Sequence, residues 1–382
     1  MIMRPFWLRK IEDAWSKRSI LWLSGVRRVG KTTLTRMLSP TNLIYKNCDL
    51  PSVRRELEDP EFFLDSLPTG TTVALDEVHR LEDPSLLLKI ASDEFPSLKI
   101  IATGSSTLAA SHKFQDSLTG RKHVVHLAPV LWQECRSIFG IQDLDRRLLH
   151  GGLPEALLAS DKDSEFFAEW LDSVYARDIQ ELFHVRNRTG FLDLVGLLMR
   201  QSGGQLDVTK LAQDSGLARP TVNSYLESLQ FAHLVRIVRP LHGSSKREIV
   251  KRPKCYAFDT GFVTHEKGWD VLRPEDRGLL WEHLVLDTLC TQFSPESILY
   301  WKDKSNREID FVVRTKRDMH HIVECKIDVD RVPTSIFEEF RKRYPNGKNF
   351  AVSPRVRQPY RTRKDGIEIT YCDGSNLGDT ET

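Results

Sequence analysis

The chain has 382 residues, enough for two or three domains, with 40% hydrophobic and 28% charged residues, the balance of a globular protein that buries real cores. The net charge of +2 excludes a polycation, so any nucleic-acid surface has to come from local clustering. Six scattered cysteines (Cys48, Cys135, Cys255, Cys290, Cys325, Cys372) form no C-x-x-C, and no apolar run approaches the roughly 20 residues of a membrane helix. A zinc cluster, a disulfide framework and a membrane span are therefore not expected. Met1 to Lys10 has no signal-peptide core, and a cytoplasmic setting is the expectation.

Phe6 to Trp15 reads as a short amphipathic helix leading into the strand Ile20-Leu21-Trp22-Leu23. Then follows Gly25-Val26-Arg27-Arg28-Val29-Gly30-Lys31-Thr32-Thr33, a G-x-x-x-x-G-K-T phosphate loop opening a helix. The loop amides and the helix start make an anion site. Lys31 is expected on the β/γ-phosphates of ATP and the Thr32 hydroxyl on Mg²⁺. Asn42 to Tyr45 reads as a second strand and Val53 to Leu67 as one polar helix. Thr72 to Glu77 is an apolar strand ending in two acids. Asp76 is expected to hold Mg²⁺ and Glu77 to polarise the attacking water.

After a helix near 85–94, Leu98 to Thr103 gives another strand with a polar end. Thr103, Ser105 or Ser106 either senses the γ-phosphate or forms a plain turn capping the next helix. Arg121, just before a strand over 123–127, is either an arginine finger towards a neighbouring subunit or a surface arginine. Alternating strands and helices predict an α/β fold, a doubly wound parallel sheet. The polar strand ends, and the lack of an N-K-x-D, favour an ATPase over a GTPase.

Leu131 to about Arg200 reads as largely helical, punctuated by Gly151-Gly152-Leu153-Pro154. Asp207 to Leu226 gives two helices around a turn at Gly216, and two strand-like stretches follow, Leu234 to Val238 and Lys254 to Phe258. This is the pattern of a winged helix-turn-helix. The DNA-binding reading puts Arg219, Thr221, Asn223 and Ser224 in a groove and Lys246, Arg247, Lys251 and Arg252 on phosphates; the alternative is a winged helix used for packing.

In the last third, a helix over 278–289 precedes strands over 297–302, 308–313 and 321–326. Strand alternation puts Glu324 and Lys326 on one face, with Asp310 on the paired strand and Glu282 on the helix. Glu282, Asp310 and Glu324 are the expected Mg²⁺ ligands of a metal-nuclease arrangement, with Lys326 orienting water; an inactive relative of such a fold is the alternative. Arg341 to Arg343 and Arg355 to Lys364 are basic clusters, and the last ten residues read as a loose polar tail.

Taken together, Gly25–Thr33, Leu75-Asp76-Glu77, Thr103 to Ser106, Gly120-Arg121, Gly151 to Glu155, Lys254 to Gly261, Leu280-Trp281-Glu282, Glu308 to Asp310 and Glu324 to Lys326 resemble the predicted AAA-type ATPases of bacteria and archaea with a fused C-terminal domain of uncharacterised function. The C-terminal part is similar to the restriction-endonuclease-like PD-(D/E)xK fold. The resemblance implies ATP binding and hydrolysis. The chain departs from ordinary AAA+ proteins in lacking a recognisable second sensor arginine on a helical lid. The expected organisation is a P-loop ATPase domain over 1–140, a helical connector over 141–200, a winged helix over 201–265 and a nuclease-like α/β domain over 266–382. The expected partners are ATP, DNA and a second copy of the chain.

Overall fold

The computed structural model describes residues 2–38, 42–104, 112–180, 187–241, 252–375 and 377–378. Five strands form the first sheet: β1 (Ile20–Ser24), β2 (Leu43–Asn47), β3 (Thr72–Asp76), β4 (Lys99–Thr103) and β5 (Lys122–His126). Their order is β2-β3-β4-β1-β5, and every pairing is parallel. Alternate residues on each strand serve opposite faces. Leu21, Leu23, Ala74 and Ile101 join one core, with Trp7 and Ile11 of the helix Pro5–Trp15. Ile20, Trp22, Val73 and Ile100 join the other, with Leu87, Leu88 and Phe114. The sheet is thus covered on both faces, as a doubly wound parallel arrangement requires.

The single helix expected over 53–67 is two short ones, Pro51–Glu56 and Pro60–Asp65. Pro60 cannot continue a helix, and the Asp59 side chain accepts the amide of Phe62 to start a new one.

The connector contains the helices Leu144–His150, Pro154–Leu158, Ser164–Val174 and Arg188–Arg200. Helices Val208–Ser215 and Arg219–Phe231 follow, joined through Gly216 in the left-handed conformation. Next come β6 (Val235–Pro240) and β7 (Lys254–Ala257), an antiparallel pair. The long helix Pro274–Gln292 then leads to β8 (Ile298–Lys302), β9 (Glu308–Lys316) and β10 (Met319–Cys325). The helix Thr334–Arg343 and three further strands, β11 (Asn349–Val352), β12 (Tyr360–Lys364) and β13 (Ile367–Cys372), follow.

These strands make one mixed sheet, β12-β13-β11-β10-β9-β8-β6-β7. Because β6 also pairs with β8, through Arg239 opposite Leu299, the hairpin β6–β7 and the C-terminal strands share that sheet across residue 265. Phe311, Val323, Phe350 and Val352 face the large central core; Ile322, Ala351, Ile369 and Tyr371 face a separate one under the helix Thr334–Arg343.

The expected loose tail is docked over its described part. Leu377 is 2% exposed, Arg136 pairs with Asp373 at 2.5 Å, and Gln292 donates to the carbonyls of Gly374 and Ser375. One buried leucine and three anchoring polar contacts outweigh the freedom of a short polar segment.

Candidate functional site

The phosphate loop runs from the end of β1 into the helix Lys31–Arg36. Gly25 has φ 146°, and a Cβ there would lie 2.7 Å from the Leu127 carbonyl oxygen, so only glycine fits. Gly30, with φ 101°, caps the helix. The Lys31 ammonium lies across the loop and donates to the carbonyls of Gly25 (2.7 Å) and Val26 (3.0 Å).

The loop borders a cavity of about 570 Å³ that Glu77 also lines. That volume is in the range of a nucleotide-sized ligand. On its far side the cavity is closed by Phe139, Pro154, Trp170 and Leu234, which come from beyond the first sheet. Trp170 donates its indole N–H to the Arg27 carbonyl at 3.1 Å, and Arg28 lies over the Phe166 ring. The connector therefore holds the phosphate loop directly.

Asp76 and Glu77 sit at the carboxyl end of β3. Asp76 is buried and accepts hydrogen bonds from the Thr103 hydroxyl and, at 2.6 Å, from Tyr45. The Thr103 oxygen also accepts the Glu77 amide at 3.1 Å. Thr103 thus fixes both acids from the neighbouring strand, and Ser105 and Ser106 lie outside the described residues. Burial and the bond to Asp76 push the Tyr45 hydroxyl up to about 12, so it stays a donor. Glu77 adopts a left-handed backbone (φ 58°, ψ 44°), a costly conformation for a residue with a side chain. Its carboxylate contacts His79 Nδ1 at 3.2 Å. That bond holds the Glu77 carboxyl below its usual range against the opposing effect of burial, and the charges of His79, Lys31 and Arg27 reinforce it. A group in this state is an ionised hydrogen-bond acceptor at neutral pH. Arg121 forks onto Asp93 of its own chain, at 2.6 and 3.0 Å, and reaches the Ser117 carbonyl at 3.1 Å.

The Gly151-Gly152 pair closes a buried node behind the cavity. Asp259, fully buried, accepts the amides of Gly152 (2.6 Å) and Gly261 (2.8 Å). Beside it, Arg147 donates to the Val130 carbonyl (2.8 Å) and the Thr260 hydroxyl (3.1 Å). From the end of β1, Ser24 is hydrogen-bonded to His233 at 2.9 Å, and the ring of His233 lies 4.2 Å from that of His126. Burial, with the charges of Arg236 and Lys31, brings His233 down to about 4. Arg236 in turn pairs with Asp287 on the long helix.

That helix also carries Glu282. Sequence spacing anticipated the gathering of Glu282, Asp310, Glu324 and Lys326 but missed two partners from β7. The Tyr256 hydroxyl donates to Glu282 at 3.1 Å, and Lys254, 5% exposed, pairs with Glu308 at 2.5 Å. Lys254 and Tyr256 alternate at period two on a short strand, a signal that a two-residue polar pattern in β7 already contains. Lys326 bonds Glu324 at 2.6 Å and lies 3.8 Å from Asp310, whose carboxylate accepts the Cys325 amide at 2.8 Å. Burial first, and the neighbouring Asp310 charge second, raise both Glu282 and Glu324; burial also raises Asp310. Glu282 and Glu308 keep Lys254 charged against burial, and Asp310 and Glu324 do the same for Lys326. Among the described residues, no three acidic, histidine or cysteine side chains are close enough to share one ion. The three-carboxylate cage anticipated from the spacing is therefore not assembled, because Tyr256 holds Glu282 and Lys326 supplies the countercharge to the other two. Glu324 Oε2 is buried without a hydrogen-bond partner, and Mg²⁺ takes only one or two carboxylates, so the Asp310–Glu324 pair fits such an ion.

On the helix Arg219–Phe231, Arg219 and Asn223 are exposed and Thr221 is half-buried. Arg252 pairs with Asp207, the cap of the preceding helix. Lys246, Arg247 and Lys251 lie outside the described residues.

Residues 17–136 match the AAA domain family. The first domain is of the AAA P-loop type. Residues 141–272 and 277–372 match two domains of unknown function, DUF8612 and DUF4143. Uncharacterised proteins of Mycobacterium tuberculosis and Methanocaldococcus jannaschii are similar along most of the chain. The first is 27% identical over 80% of this chain and 69% of its own length; the second is 23% identical over 80% and 74%. Among solved structures, a Walker-type ATPase of Pyrococcus abyssi is 19% identical, with a TM-score of 0.44, over 70% of this chain and 96% of its own. No described helix is long and apolar enough to cross a membrane.

Proposed function

We propose that the chain binds and hydrolyses ATP and uses the cycle to switch a DNA-binding, nuclease-like body. The observation that carries the ATPase reading is one cavity lined by Lys31, Thr32 and an ionised Glu77. Lys31 neutralises the β/γ-phosphates, and Glu77 accepts a proton from water as it attacks the γ-phosphorus, ADP leaving on the opposite side. Thr32, with Asp76 behind it, is a hard-oxygen set suited to Mg²⁺, which when bound offsets the phosphate charge. Thr103 and Tyr45 fix Asp76 for that task. A homo-oligomer in which Arg121 reaches a neighbour's nucleotide requires its pair with Asp93 to open first.

DNA contact through Arg219, Thr221 and Asn223 is supported by the exposure of Arg219 and Asn223, with Thr221 half-buried between them, on the second helix of a helix-turn-helix pair. Nuclease chemistry at Asp310, Glu324 and Lys326 is supported by the open, buried oxygen of Glu324. A second reading, a regulator whose nuclease-like fold is inactive, is favoured by the engagement of Glu282 with Tyr256. ATP turnover with and without DNA tests the first claim. Lys31→Ala is expected to abolish nucleotide binding, and Glu77→Gln to bind ATP but turn it over at least about a hundredfold more slowly; normal turnover by Glu77→Gln refutes the assignment. Nicking of plasmid DNA with Mg²⁺ or Mn²⁺, lost in Lys326→Ala and Asp310→Ala, separates the two readings of the C-terminal body. No cleavage of any DNA or RNA form leaves the regulator.

A further inference from the structure

The acid cluster lies at the carboxyl end of β10, and the pairing register carries its row across the sheet. Glu324 is opposite Ala351 on β11, Ala351 is opposite Tyr371 on β13, and Tyr371 is opposite Tyr360 on β12. Paired residues point to the same face. Tyr360 therefore shares a face and a row with Glu324, three strand spacings or about 14 Å away.

Tyr360 is 44% exposed on the outermost strand. Its ring stacks on Tyr371 at 4.9 Å between centroids, with only 4° between the planes. One face is fixed by Tyr371, which is buried, and the opposite face is open. A rigid aromatic plate of this kind matches the π-face of an unstacked base. In the segment that leads into it, Arg355 and Arg357 are exposed. Their local opposition is limited: Arg355 lies 3.5 Å from Asp328 at the surface, and Asp330 is exposed near Tyr360. Exposed pairs of that length hold little energy and yield to phosphate.

We propose that the acid cluster receives an unpaired nucleic-acid strand, one base of which stacks on Tyr360 while the strand's backbone follows the exposed arginines. The proposal rests on the nuclease-like reading of that cluster and names its substrate class. A duplex has its bases stacked on one another and offers no free face to Tyr360.

Fluorescence anisotropy with the full chain, without divalent metal, tests this. The probes are a labelled oligothymidine, an abasic strand of the same length and a duplex. Tyr360→Ala is expected to weaken oligothymidine binding about tenfold or more, Tyr360→Phe to retain it, and the abasic strand to bind both variants as it binds wild type. Unchanged oligothymidine binding by Tyr360→Ala, equal losses in the alanine and phenylalanine variants, or an equal loss with the abasic strand overturns the proposal. Plasmid nicking with Mg²⁺ reads the cluster's chemistry separately. A chain that stacks oligothymidine on Tyr360 yet nicks nothing retains the strand site and loses the nuclease.

Discussion

Gly151→Ala tests whether the node behind the nucleotide cavity holds the molecule together. Gly151 has φ 82° and ψ −168°, a region that only glycine occupies without strain. A Cβ there would lie 1.9 Å from Asp259 Oδ1 and 2.9 Å from the Gly261 amide. Asp259 is fully buried and cannot swing to water, so the methyl must displace the carboxylate from its two amide donors. Each charge-assisted bond is worth about 2 kcal/mol and the backbone strain about 1 kcal/mol more, for a loss of about 5 kcal/mol. Urea denaturation followed by circular dichroism measures it. Gly216→Ala is the control: φ is 65°, nothing lies within 4 Å of its Cβ, and the cost is about 1 kcal/mol. Because Pro154 and Leu158 follow Gly151 into the cavity wall, Gly151→Ala should also weaken nucleotide binding. A Gly151→Ala chain no less stable than Gly216→Ala refutes the reasoning.

Thr103→Val removes one hydroxyl bond to Asp76 and the acceptor of the Glu77 amide. It should lower ATP turnover about tenfold with little change in nucleotide affinity, as equilibrium binding and steady-state kinetics will separate. His233 titrates near 4 when folded against about 6.5 unfolded, so its contribution is complete above pH 6.5 and falls away as the pH drops towards 4. Up to about 3 kcal/mol is at stake, and His233→Gln should flatten the acid limb of a stability–pH profile. Leu377→Ala uncovers the docked end of the chain and should cost about 2 to 3 kcal/mol by denaturation; no loss would mean that the segment is not docked in solution.

The parts of this molecule legible in its sequence are those encoded within a few residues. The phosphate loop, β3 with its two acids and the helix pair around Gly216 each declare themselves by a short motif or a run of apolar residues. The break at Pro60 was equally local and follows from proline's missing amide. What eluded the sequence is long-range. Gly151 and Gly152 read as punctuation, yet their meaning is Asp259, 107 residues beyond Gly152. Strand β12 is Tyr-Arg-Thr-Arg-Lys, exposed at every position, and carries no apolar signal; only pairing with β13 makes it a strand. The acid cluster was half legible: alternation brought Glu324 and Lys326 to one face, but Lys254 and Tyr256 arrive from a strand that pairing through β6 brings to the site.

That shared sheet bears on how the protein can be divided. A fragment beginning at residue 277, where the third matched region opens, would lose β6 and leave β8 with bare amides and carbonyls along one side. It would also lose Tyr256, the hydroxyl partner of the buried Glu282, and Lys254, one of the two lysines paired with Glu308. Such an open edge invites self-association. Severing ahead of the hairpin, before Val235, keeps every strand of the sheet with its neighbour but still parts the buried Asp259 from Gly152 and Thr260 from Arg147.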